Sequence, residues 1–415
     1  MPSLLRLPLL LSTLVPLLPG VICAPSSGCE PVPPAAKAVY FITNDKANSV
    51  VALSVEQDGK LSLGSVTPTG GNGSVALNSD NQPATPDALI SQSALTVAGH
   101  SIFAVNAGSN TLSMLAISRT DPTRLSLVGK PVAIPGEFPN TVAASPKNSI
   151  VCVGTTGAQA GISCASFSAK GLGPMDDLRP FDLGQTTPPV GPTNTVSQTF
   201  FSADESTLLT TVKGDPPTNK TGFLSSFPVR RCQGSGRSKN SRGGATVSRI
   251  DRRSTPEGTA VLFGSQVVPG TSNNIFVTDA SFGAAVLSVD PATGQATTVG
   301  TGKISGQKAT CWATISPATG TAFVTDVATN RIVEMSVQDA AVLSELDLSA
   351  NGDPGLIDLR AAGDFIYALS PGNGTTKAAI TVVDVSGGSG AAKMIQHFGL
   401  DRVAGPRAMG LAVLV

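Results

Sequence analysis

A carboxylate drawn out of water is the group best able to move a proton in this sequence. Glu137, in GEFPNTV, has the apolar and turn-forming neighbours that suit that role, because burial weakens a carboxylic acid and makes its conjugate base stronger. As an exposed or arginine-paired loop carboxylate it would have no such role. Gln198, in PTNTVSQ, is the second catalytic candidate. Asp87 and Gln92 (PDALISQS), Asn194 (PTN), and Thr310 with Trp312 (ATCW) are the residues expected to line a ligand channel. Trp312, the one tryptophan, offers either a stacking face or a core side chain. The sequence has no G-x-S-x-G elbow, no H-E-x-x-H, no phosphate loop ending in Lys-Ser or Lys-Thr and no EF-hand spacing. His100, in the turn AGHSIF, and His397, in MIQHFG, lack neighbours at ligand or triad spacing and read as surface or turn histidines. No metal and no cofactor are expected.

These residues matter only if something brings them together, and a repeat does. The segments 39–63, 100–129, 148–173, 206–229, 273–300, 320–348 and 364–388 share one pattern: a short β-branched run, a polar turn rich in Asn, Asp or Gly, and a second alternating run. A DG- or DP-type turn and a third strand usually follow. The anchor positions Phe41, Phe103, Val151, Leu209, Phe276, Phe323 and Ile366 are separated by 62, 48, 58, 67, 47 and 43 residues. An average near 54 suits a four-stranded propeller blade with uneven loops. Between units lies a fourth strand, as in 140–148, 195–206 and 311–320, which a propeller places innermost. The chain ends in the apolar strand RAMGLAVLV, and the first unit begins with no inner strand before it. Residues 408–415 are therefore predicted to supply the first blade's inner strand and leave no open edge. The fold class is all-β, one seven-bladed propeller over 39–415; a pair of β-sandwiches explains neither the count nor the complementary ends.

Composition narrows the class further. Across 415 residues there are 44 Gly, 31 Pro and only 13% charged residues, which is turn-rich and too apolar for disorder. Twenty-eight basic residues balance 28 acidic ones, so no net field favours nucleic acid or an anionic membrane as a partner. Residues 1–24 read as a secretory signal, with Arg6 early in an apolar, proline-interrupted run ending at Cys23-Ala24; 25–38 reads as a linker, and no later stretch could span a bilayer. Export would expose the chain to oxidation and glycosylation. Cys152 and Cys164 flank TTGAQAG on consecutive strands of the third unit, where opposed residues come within disulfide range; Cys29, Cys232 and Cys311 have no assignable partners. Asn72, Asn219 and Asn373 head N-x-S/T sequons in turn-like surroundings. The basic stretch 230–254 reads as a loop insertion without hydrophobic periodicity, or else as a polyanion-binding or protease-cleaved loop.

The strings PDALISQSALTV, FAVNAGSNTLSMLAIS, DPTRLSLVGKPV, GEFPNTVAASP, GPTNTVSQTFFSAD and KATCWATISPATGTAFVTD resemble the secreted fungal 3-carboxymuconate cyclase-like proteins, which group with the 6-phosphogluconolactonase-like, lactonase-type seven-bladed propellers. The resemblance runs from about residue 38 to 340. It implies either a lactonase or cycloisomerase working in the central channel, or a secreted or wall-associated, adhesin-like glycoprotein antigen that has lost or altered that catalysis. The lactonizing enzymes carry a channel-facing histidine in the segment corresponding to GPTNTVSQ, where this chain has Asn194, Ser197 and Gln198; no arginine lies in the inner-strand motifs to hold a polycarboxylate. The binding glycoprotein is thus the expected function and the enzyme the alternative. The partners would be matrix or cell-wall components, or a small lactone or carboxylate, bound by a monomer.

Overall fold

The structure is a computed structural model that describes residues 34–231 and 244–415. The signal reading, Cys29, Cys232 and the centre of the basic stretch lie outside the described residues. Seven antiparallel sheets of four or five strands follow one another along the chain, with almost no helix. No helix among the described residues is long and apolar enough to cross a membrane.

The seven sheets match the seven repeats, and the predicted inner strands form as Pro139–Ser145, Val196–Phe201 and Thr310–Ile315. Their almost wholly buried patterns contrast with outer strands that alternate with solvent, such as Val342–Asp347. The DG- and DP-type turns form for the reason those residues are used there. Asp58, Asp121 and Asp290 each accept the backbone N–H two residues on, at 2.7 to 3.1 Å, and Asp384, followed by valine, does the same at 2.8 Å.

Closure occurs as expected. Met409–Leu414 pairs antiparallel with Ala38–Ile42 and becomes the inner strand of the first blade. Cys152 and Cys164 sit directly opposite each other, with Cα atoms 4.0 Å apart, and form a disulfide. The basic stretch departs from the expectation of an unpatterned loop. Ala245–Val247 and Arg252–Ser254 both pair with Phe223–Arg231, extending the fourth blade. Arg253 packs its guanidinium over Phe223 and Phe181, 4.7 and 5.1 Å from the ring centroids; flanking aromatics, not periodicity within the stretch, give these strands their footing.

One irregularity recurs where it matters. Near their N-terminal ends the inner strands carry bulges, so that a residue is skipped in the pairing with the second strand: Asn140, Ser197, Cys311 and Asp358. In the fifth blade Phe263 and Gly264 oppose the single residue Thr278. A bulge re-aims the skipped side chain, here at the same level of blades three to seven.

Candidate functional site

The second blade enters the ring differently from the others. Its inner strand, Leu95–Ala98, is short, and the preceding segment Leu89–Ser93 crosses the axis, with Ile90 and Ser93 at positive φ. It is tied to blade after blade. Ser91 Oγ donates to Asn140 O (2.7 Å), and Ser91 O accepts the Trp312 indole N–H (3.0 Å). Gln92 N donates to Ser197 O (3.0 Å), while its amide donates to Ala313 O (2.9 Å) and Asp358 (3.1 Å) and accepts Ala313 N–H (3.2 Å). Ser93 Oγ accepts from Gln198 (3.2 Å) and Arg360 (2.8 Å), and Ser93 O accepts Val142 N–H (2.8 Å). Space for Gln92 exists because residue 264 is glycine. A Cβ there would lie 2.1 Å from Gln92 Oε1 and 2.6 Å from Cys311 O.

Asp358 anchors this plug. It is fully buried, and its carboxylate accepts from Gln92, Arg360 and the backbone N–H groups of Ser93, Leu359 and Leu411. Burial pushes its carboxyl up, and Arg360 with those N–H groups pulls the other way.

Above the plug, where the inner strands begin, lies a cavity of about 380 Å³, the size of a small-molecule site. Phe263, Val261, Ala280, Val327 and Pro192 form much of its apolar wall, and Asp87, Lys213 and Cys311 are its chemically distinctive members. Lys213 is 2% exposed, and its ammonium donates to Ile90 O at 2.6 Å and stands 4.3 Å over the Phe263 ring. Among the described residues it forms no salt bridge. Asp87 is half-buried as a residue, yet its Oδ1 is sealed from solvent and has no hydrogen-bond partner. Burial raises the Asp87 carboxyl, opposed by Lys213; burial lowers the Lys213 ammonium, opposed by Asp87. The two therefore approach each other in proton affinity, the arrangement from which acid–base pairs are made. The Cys311 thiol is pushed well up by its burial and stays protonated.

The repeat explains why Lys213 is there. Asp279 and Asp326 close the second strands of blades five and six, opposite Leu262 and Thr310, and each carboxylate accepts backbone N–H groups from the chain entering its inner strand. The next residues, Ala280 and Val327, face the cavity. In the fourth blade Val212 pairs with Val196 at the same level, and the residue after it is Lys213. Aligning LTTVK with FVTDA and FVTDV would have exposed this one charged exception; the sequence reading missed it, and missed Cys311.

The other candidates are scattered. Glu137 is half-exposed, accepts the Thr187 hydroxyl at 2.5 Å and does not line the cavity. Gln198 is buried and held by Ser93 and by the N–H of Ser265 (2.5 Å). The structure does not bring these two into one pocket, because Gln198 lies beside the plug. Gln92 and Trp312 build the plug and its wall, and Thr310 is buried in the strand pairing. Asn194 lines a separate hollow of about 370 Å³ that shares Lys213 with the mouth. Asp87 alone of the expected channel residues reaches the cavity. An inner-strand arginine does exist, Arg360, outside the motifs in which none was found. His397 and His100 are both exposed, as expected of surface or turn histidines; His397 also has a partner the sequence did not show, with its Nε2 3.0 Å from buried Asp353. Among the described residues no cluster of three or more His, Cys, Asp or Glu side chains is placed to hold a metal ion.

No family model matches the sequence, and no curated protein does. Solved structures match by shape. Periplasmic gluconolactonase of Pseudomonas aeruginosa superposes with a TM-score of 0.61 at 13% identity, over 91% of this chain and 99% of that one. A protein of Lactobacillus plantarum gives 0.57 at 13%, over 92% and 100%. A Bacteroides fragilis protein provisionally described as a 6-phosphogluconolactonase gives 0.56 at 10%, over 94% and 100%. At such identities the likeness speaks for architecture only: the chain is a seven-bladed propeller with a fold similar to that of lactonase-like proteins.

Proposed function

We propose that the protein is an exported glycoprotein that binds a small lactone or carboxylate at the axial mouth, on a lactonase-type scaffold whose chemistry has changed. One observation carries the ligand: Lys213, which forms no described salt bridge, and Asp87, whose Oδ1 has no hydrogen-bond partner, line the same cavity. Taking a charge out of water without a charged partner costs several kcal/mol, and an anionic or strongly dipolar ligand beside Lys213 offsets that cost. Support for export comes from the exposure of all three sequon asparagines, Asn72, Asn219 and Asn373, and from the disulfide. Wall or matrix components are the surroundings such a glycoprotein would meet. Calorimetry with a panel of lactones and their hydroxy acids tests the site: wild type binds at least one, and Lys213→Met weakens it tenfold or more. Equal affinity in the two proteins refutes it.

A second reading, lactone opening in the same cavity, is favoured by the convergence of the Asp87 and Lys213 proton affinities. Asp87 would then take the proton from an attacking water while Lys213 faces the developing oxyanion. Turnover of any bound lactone, abolished by Asp87→Asn, selects this reading over simple binding.

A further inference from the structure

A buried lysine can hold an anion by charge, or it can react. Three features of Lys213 suit the second use. Its amine has one carbonyl acceptor, Ile90 O, and the face of Phe263 as neighbours, so no described carboxylate locks it in an ion pair. The side chain borders a cavity large enough for a compact organic molecule. Asp87, a carboxyl with one enclosed and unpartnered oxygen, borders the same space.

We propose that Lys213 is an amine nucleophile that captures a small aldehyde or ketone in the mouth cavity as an imine, with the Asp87 carboxyl supplying the proton that expels water. The inference rests on the cavity being a ligand site and names a reaction that the binding reading does not require. The neutral amine attacks the carbonyl carbon, forming the C–N bond and leaving the oxygen as an alkoxide, which takes up the proton released from nitrogen. The carbinolamine hydroxyl then leaves as water with the proton from Asp87, and loss of the remaining N–H proton to the Asp87 carboxylate leaves the neutral imine. One carbonyl compound and one amine give one imine and one water, with no oxidant or reductant. Desolvation favours the uncharged amine that the first step needs and the uncharged acid that the second needs.

The test is reductive trapping on the full-length glycoprotein with glyoxylate and sodium cyanoborohydride, read by intact mass and peptide mapping. The expected result is one dominant adduct on Lys213, formed at least tenfold faster than on any exposed lysine. It should be absent from Lys213→Arg, which keeps the positive charge, and at least tenfold slower in Asp87→Asn. Circular dichroism and melting curves establish that both variants are folded. Labelling spread over surface lysines with Lys213 spared overturns the proposal, as does equal labelling of wild type and Lys213→Arg. An unchanged rate in Asp87→Asn removes Asp87 from the step. Calorimetry with lactones separates the two ideas: binding that persists without an adduct sinks the imine alone, and an adduct without any lactone binding sinks the binding reading alone.

Discussion

The segment Asp87–Ser93 builds two adjoining layers of the axis and treats polar groups in opposite ways. In the plug, Gln92 bonds through both ends of its amide, Ser91 and Ser93 through side chain and backbone, and Asp358 gathers five donors. In the mouth, a few residues earlier in the chain, Asp87 Oδ1 has no partner and Lys213 has one acceptor. A satisfied buried network gives rigidity and register, whereas an open one beside a cavity is costly unless something else completes it. The difference separates structural polarity from functional polarity, which residue type alone does not.

Mutating each layer tests that contrast. Asp358→Ala should be the most damaging substitution, costing about 3–5 kcal/mol, because it strands Arg360, Gln92 and three backbone N–H groups, including that of Leu411 in the closing strand. Denaturant unfolding measures it, and a loss below about 1 kcal/mol would show that the plug is not a cooperative network. Gly264→Ala should cost roughly 1–3 kcal/mol by overpacking, since its Cβ meets Gln92 and the Cys311 carbonyl; a neutral melting temperature would mean that Gln92 can withdraw. Lys213→Met should do the reverse, raising stability by roughly 1–3 kcal/mol while weakening ligand binding. A destabilised Lys213→Met would move Lys213 into the structural class.

The pH dependence of the mouth sharpens the comparison. Burial raises the Asp87 carboxyl, so the folded state holds this proton more tightly than the unfolded chain. Its contribution is present in full below the ordinary carboxylate range and is lost as pH rises through the raised folded value. Wild type should therefore lose stability relative to Asp87→Asn between acid and neutral pH; parallel curves for the two proteins would contradict the assignment. The smallest effect belongs to Glu137→Gln. Its half-exposed carboxylate meets Thr187 away from the cavity, so stability should stay within about 0.5 kcal/mol and ligand affinity should not change. A large loss of affinity would bring Glu137 back to the site.

Much of the scaffold was legible because it is local and repeated. Alternation, turn aspartates and the unpaired ends of the chain specify strands, blades and closure, and Cys152 and Cys164 were readable because they flank a single turn. The site was legible only at Asp87. Gln198, Gln92, Thr310 and Trp312 sit on or beside inner strands as expected, but the bulges and the crossing segment turn them into packing. Lys213 went unnoticed because it lies just past a strand end, at a position that differs from its repeats by one charge.

The sequence alone determined the periodic elements and the seven-fold count, which follow from hydrophobic spacing and turn chemistry within some tens of residues, and the way the ring closes, which follows from the complementary strands at the two ends of the propeller. Only the tertiary structure decided that Leu89–Ser93 fills the axis and that residues 87, 213 and 311 surround one cavity. Those contacts join three blades, and they depend on one-residue bulges and on the tilt of sheets around a closed ring. No pairwise spacing along the chain encodes either.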